Sequence, residues 1–202
     1  MLGWETTTSW NYGLETDLLK NRIHFEVDAY NASTTDQIFN RTILPMGAGI
    51  RNQSSTMGRV DNWGIEASVN TTNIKTKDFM WTSGLQFTIN RNKLKELYGD
   101  GKDDIQNQLF LNKSLGAIYG YKWIGVVQES DTNYMQANGA RPGDPMYANL
   151  DGSEDGKISP ADKTILGYAK ESFRMSLSNT LIYKNWSLYF MLNGVFSGGM
   201  YG

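Results

Sequence analysis

Apolar residues recur at every second position through much of the chain, the periodicity of a strand with one apolar and one polar face. In LLKNRIHFEVDAY (18–30), Ile23, Phe25, Val27 and Ala29 share one side, and His24, Glu26, Asp28 and Tyr30 share the other. The preceding run sets Trp10, Tyr12, Leu14, Thr16 and Leu18 against Gly13, Glu15 and Asp17. A turn at Lys20-Asn21 pairs Leu18 with Ile23, Thr16 with Phe25 and Leu14 with Val27, so both strands agree on the apolar side. A one-residue slip would destroy that agreement.

The pattern returns twice. Trp63, Ile65, Ala67 and Val69 alternate with small and polar residues, then Phe79, Trp81, Leu85, Phe87 and Ile89 do the same beyond a short turn at Lys75-Thr76-Lys77. Phe173, Met175, Leu177, Leu181 and Tyr183 align with Trp186, Leu188, Phe190, Leu192 and Phe196 across a turn at Lys184-Asn185. Strands are expected at 5–18, 22–33, 59–73, 79–90, 173–183 and 186–196. Most reach about ten residues or more, long enough to cross a bilayer at a tilt. Their connections are lopsided, with short Lys-bearing turns alternating with long excursions at 34–57 and 91–172. The expected fold class is all-β, an antiparallel transmembrane β-barrel segment of about six long strands in three hairpins with long extracellular loops. The apolar-polar run AIYGYKWIGVV (117–127) then has to belong to the second excursion or to an extended rim.

Composition narrows the chemistry. Formal net charge is −2, which argues against a nucleic-acid partner. With no cysteine and one histidine, His24, thiolate metal sites and multi-imidazole zinc chemistry are excluded. Nucleotide-loop and nucleophile-elbow motifs are absent, and no catalytic residue is assigned. The first residues lack the basic start and apolar core of a signal peptide. Glu15, Glu26, Asp28 and His24 are either lumen groups that touch a ligand or solvated positions of an inner wall. The chain is not expected to be an enzyme. Trp10, Trp63, Trp81, Tyr183 and Trp186 are either interfacial belts or ordinary packing aromatics.

The run DGSEDGKISPAD (151–162) has the spacing of a calcium loop. Asp151, Ser153 and Asp155 take positions 1, 3 and 5, and Gly156 the sharp turn at 6. Lys157 offers its carbonyl, Ser159 a hydroxyl, and Asp162 closes the set at position 12. Ser at position 3 and the short Asp at position 12 depart from the usual loop, and prolines and glycines upstream forbid a leading EF-hand helix. Calcium is therefore expected, if at all, at an isolated loop, the alternative being an acidic Asp-Gly turn. Tyr119, Tyr121, Trp123, Tyr134 and Tyr147 cluster in the same excursion, either as sugar-stacking rings or as packing that holds the loop together.

GAIYGYKWIGVVQ (116–128), RPGDPMYANLDG (141–152), DGKISPADKTILG (155–167) and SNTLIYKNWSLYFMLNGVFSG (178–198) together resemble the C-terminal barrel region of SusC/RagA-type TonB-linked outer-membrane transporters. NYGLETDLLKNRIHFEVDAYN (11–31) and NWGIEASVNT (62–71) resemble successive strands of the same barrel, so the likeness runs nearly end to end. It implies a bacterial outer-membrane location and a plugged barrel of about 22 strands. It implies import of oligosaccharides or peptides with a SusD-like lipoprotein, driven by the TonB complex through an N-terminal plug. No plug is found in 1–202, and six strands cannot close a barrel when the smallest have about eight. The chain is therefore expected to be a partial barrel domain, with Met1 artificial or an internal start. Other readings remain open: a secreted calcium-dependent carbohydrate-binding β-sandwich module, a β-rich hydrolase, and a siderophore receptor barrel.

Overall fold

The computed structural model describes residues 4–42 and 52–197. Strands β1 (Thr6–Leu18), β2 (Ile23–Thr42), β3 (Asn52–Lys75) and β4 (Phe79–Glu96) are followed by shorter elements: β5 (Ala117–Tyr121), β6 (Trp123–Val126), helix α1 (Thr132–Asn138), β7 (Pro145–Tyr147) and β8 (Lys163–Tyr168). Strands β9 (Glu171–Tyr183) and β10 (Trp186–Ser197) complete the chain. The long strands form one antiparallel six-stranded sheet in the order β1-β2-β3-β4-β9-β10. The sheet is open, as a segment of barrel wall is.

Local chemistry sets the register. Leu18 pairs with Ile23, Thr16 with Phe25 and Leu14 with Val27, as the alternation requires. Tyr183 pairs with Trp186 across the last turn. Rows of like residues consequently run across the whole sheet. Thr16, Phe25, Val69, Leu85, Leu177 and Leu192 form one such row. The next residues along, Glu15, Glu26, Ser68, Gln86, Ser176 and Asn193, form a row on the opposite face.

Two boundaries differ from the sequence expectation. The first excursion, 34–57, is largely strand: β2 continues to Thr42 and β3 begins at Asn52, the two paired to the end. Residues 43–51 lie outside the described ones. The pairing passes bulges between Thr34 and Gln37 and between Gln37 and Phe39, with Asp36 left-handed at φ 57°, so the period-two signal breaks exactly where the ladder goes on. The second excursion starts only after Glu96. Its strands pair among themselves, β5 with β8 and β6 with β7, and none joins the large sheet. The run 117–127 therefore belongs to the excursion.

Buried apolar residues avoid the apolar face of the sheet. Among the described residues they are Val60, Leu94, Leu97, Phe110, Ala117 and Val127, all at the far end of β3–β4 or inside the excursion. The apolar face itself is uncovered: Leu192 is 64% exposed and Leu188 59%, with Leu14, Leu85 and Leu177 also open. No second sheet packs on this side among the described residues, so the β-sandwich reading lacks its second layer.

Candidate functional site: the wall, its inner face and its outer loop

The uncovered face has a defined height. On β4, Trp81 stands near the short turns, and Arg91 pairs with Trp63 at the other end. Ten residues separate them (91 − 81), about 33 Å of strand and about 25 Å after a tilt near 40°. That is the height of the apolar band of an outer-membrane barrel. Trp10 lies beside Asn31 in the row of Trp63, and Trp81, Tyr183 and Trp186 stand near the short-turn end, so these five aromatics sit at two levels of the wall.

A polar row underlies the turn-side band. Asn179, 7% exposed, accepts from the Trp81 indole N–H at 3.0 Å and from the Ser83 hydroxyl at 2.6 Å. Asn73 donates to Ser83 at 2.7 Å, and Thr71 donates to Asn73 at 2.9 Å. These groups share the apolar side of the sheet yet satisfy one another. The sequence pattern passed over them because each breaks an otherwise apolar stripe.

The opposite face carries carboxylates. His24 Nδ1 lies 3.0 Å from Asp17 and its Nε2 3.8 Å from Glu15, and Ser68 donates to Glu26 at 3.4 Å. Glu26, Asp28 and Glu66 line a shallow open depression with Gln86 and Thr88. Arg174, farther along, bonds Glu171 at 2.9 Å. This is the polar face of the wall. Glycines give its larger side chains room: a Cβ on Gly64 would collide with the Tyr30 ring, and one on Gly84 would lie 2.8 Å from the Ser178 hydroxyl.

The excursion is rooted on that inner face. Asn92 Oδ1 accepts from the Ser114 hydroxyl and the Leu115 amide, both at 2.7 Å, and Lys170 donates to Asn90 at 2.6 Å. Leu94 exchanges backbone bonds with Asn112 and Lys113. Around these, Leu109, Leu111 and Leu115 pack on Val60, Leu94 and Leu97. A large loop thus gains its core by folding against the polar side of the wall.

Four of the five aromatics expected as ligand groups are packed. Tyr119 packs tilted against Phe110 with centroids 4.9 Å apart, and Tyr121 against Tyr147 at 5.6 Å with Lys163 over the Tyr121 ring. The Tyr134 hydroxyl accepts the Tyr147 amide at 3.0 Å. Trp123 stands apart at 60% exposure, with Ile124 and Val126 beside it in sequence also open.

The acidic loop has a buried keystone. Asp162, fully buried, accepts from the Leu150 amide at 2.6 Å and the Asp151 amide at 3.0 Å on one oxygen, and from the Ser159 amide at 2.7 Å on the other. The Ser159 and Leu150 amides in particular hold its carboxyl below the usual carboxylate range. Asp155 accepts from the Lys157 amide at 2.9 Å and the Ser153 hydroxyl at 2.8 Å, which lowers its pKa too. The Ser159 hydroxyl reaches Asp151 at 3.4 Å, and Asn149 Nδ2 lies 3.4 Å from both Ser153 and the Lys157 carbonyl. Asp151, Ser153, Asp155, Lys157 and Ser159 are thus strung together, while Asp162 is committed to closing the loop. Among the described residues no three acidic or imidazole groups converge as a metal cluster. Asn138, at the end of α1, receives the Ile158 amide at 2.7 Å and bonds the Gly156 carbonyl at 2.9 Å. That clasp had no sequence signal beyond the left-handed Gly139 that stops the helix.

An uncovered apolar band, a polar reverse face, short turns at one end and a rooted loop at the other define a segment of transmembrane β-barrel wall. Residues 1–193 match the family described as TonB dependent receptor-like, beta-barrel, and the chain belongs to it. It is 34% identical over 202 residues to TonB-dependent receptor P3 of Formosa agariphila, covering 93% of this chain and 20% of that protein. It is 30% identical over 206 residues to TonB-dependent receptor SusC of Bacteroides thetaiotaomicron, covering 99% of this chain and 20% of SusC. The RagAB peptide importer in its open-open state shares the fold, with TM-score 0.72 and 19% identity over 98% of this chain and 21% of that one. The chain is of the SusC/RagA type. It spans about a fifth of the length of these relatives.

Proposed function

We propose that the chain forms part of the wall and outer mouth of a TonB-driven outer-membrane importer of oligosaccharides or peptides, working with a SusD-like lipoprotein. The observation that carries this reading is the division of one sheet into an uncovered apolar face and an acidic, hydrated one. The loop 97–170 faces outward in this reading and the Lys-bearing turns face the periplasm. The SusC likeness supports a TonB-dependent receptor, RagAB is by name a peptide importer, and TonB would act through a plug contributed by another region. The open surface of Trp123 and Ile124 is the part of the loop best placed to meet cargo or lid.

Calcium at the acidic loop belongs to the same proposal. Asp151, Ser153, Asp155, the Lys157 carbonyl and Ser159 would hold it, with Asp162 closing the loop behind them. The experiment is to express the full-length protein with a SusD-like lipoprotein and measure uptake of labelled glycans and peptides. Uptake that needs both proteins and TonB supports the reading; the same uptake without the barrel protein contradicts it. Calorimetric calcium titration of that purified protein, showing heat that Asp155→Asn abolishes, supports the cation site, and no heat removes it.

A further inference from the structure

The turn end of the wall carries a groove whose chemistry changes within a few ångströms. Leu19 and Ile23 supply its apolar floor, Thr71 and Asn73 its polar flank, and Lys20 and Arg22 its rim. Arg22 is fixed in place: its Nε donates to the Thr72 carbonyl at 3.2 Å and one Nη2 hydrogen to the Asn73 carbonyl at 2.6 Å. Two of its five N–H groups are thus used to position it, and the other three have no protein acceptor among the described residues. Ion pairs among the described residues lie elsewhere, so no described carboxylate pairs with Lys20 or Arg22.

Height in the bilayer selects the occupant. Thr71 and Asn73 belong to the polar row that ends at Asn179 and Trp81, the level at which the apolar band stops. A molecule filling this groove has its hydrocarbon against Leu19 and Ile23 and its polar end beside Lys20 and the anchored Arg22. We infer that the groove between the β1–β2 turn and the end of β3 binds an anionic phospholipid of the turn-side leaflet. Lys20 and Arg22 hold the phosphate, the Thr71 hydroxyl and Asn73 flank the glycerol, and one acyl chain runs along Ile23. The argument from charge and from continuity with the apolar band selects a lipid over a soluble anion.

The inference rests on the membrane-wall reading, and its test separates the two. Full-length transporter, purified from membranes and stripped of lipid in mild detergent, is titrated with phosphatidylglycerol, phosphatidylcholine or inorganic phosphate and read by native mass spectrometry. Wild type retains phosphatidylglycerol at concentrations where phosphatidylcholine is lost. A Lys20→Gln/Arg22→Gln variant binds it about tenfold or more weakly, and Lys77→Gln, outside the groove, leaves binding unchanged. Equal retention of both lipids, an unaltered preference in the double variant, or displacement by millimolar-scale phosphate overturns the lipid site. Failure of the wild type to enter the membrane at all overturns the wall reading, and with it this one.

Discussion

Asp162 is a carboxylate with no ion pair among the described residues, held ionised by three backbone amides. Its folded pKa is depressed, so its contribution is present above the unfolded value near 4 and is lost as pH falls through the lower folded value. Acidification below about pH 4 should therefore open the 150–162 loop ahead of the wall. Hydrogen exchange at the Leu150, Asp151 and Ser159 amides reads this, and Asp162→Asn should speed exchange at all three even at neutral pH. Unchanged exchange in that variant would mean the carboxylate is not the clasp. Gly64 makes the complementary residue-scale case. Its φ is not left-handed, so the need for glycine is purely steric, against the Tyr30 ring. Gly64→Ala should destabilise by about 1–3 kcal/mol, and Tyr30→Ala in the same chain should return part of that. Denaturant titration of the refolded protein gives both numbers; additive losses would show that the two residues do not meet.

At the scale of elements, the hairpins were legible because a strand's face and a short turn's register are both local properties. Leu18 with Ile23 and Tyr183 with Trp186 follow from alternation alone. What was hidden followed from departures from that period. Bulges around Asp36 and between Gln37 and Phe39 shift the phase, so the end of β2 and the start of β3 read as loop. The polar row of Thr71, Asn73, Ser83 and Asn179 reads as noise in an apolar stripe until the strands are laid side by side. Inside the excursion, α1 has no apolar stripe, and its tie to the acidic loop through Asn138 depends on contacts twenty residues apart (158 − 138). The acidic spacing was visible in the sequence, but not that Asp162 turns inward. Turn strain gives the element-scale prediction. Lys184 is left-handed at φ 51°, and its amide bonds the Asp78 carbonyl at 2.9 Å. Glycine adopts that conformation without a Cβ clash and keeps the amide, so Lys184→Gly should stabilise the β9–β10 hairpin by up to about 1 kcal/mol. A shift to lower thermal stability in detergent would contradict it.

For the molecule as a whole, the sheet divides two solvents. Leu177 and Ser176 are neighbours in sequence on opposite faces, in rows that cross the entire wall. Arginine at Leu177 should cost about 2–4 kcal/mol of folding into bilayers, whereas arginine at Ser176 should be tolerated. Equal costs in urea titrations would show that the faces do not differ. The most direct test uses the absence of cysteine from this chain. Single cysteines placed in turn from Ser83 to Ile89 in the full-length protein, with any cysteine elsewhere replaced, spin-labelled and reconstituted, report collision with oxygen dissolved in lipid and with a water-soluble nickel chelate. Leu85, Phe87 and Ile89 should be accessible to oxygen and closed to nickel, with Gly84, Gln86 and Thr88 the reverse. Loss of that alternation, or its inversion, would contradict the claim that this face of the sheet meets the membrane.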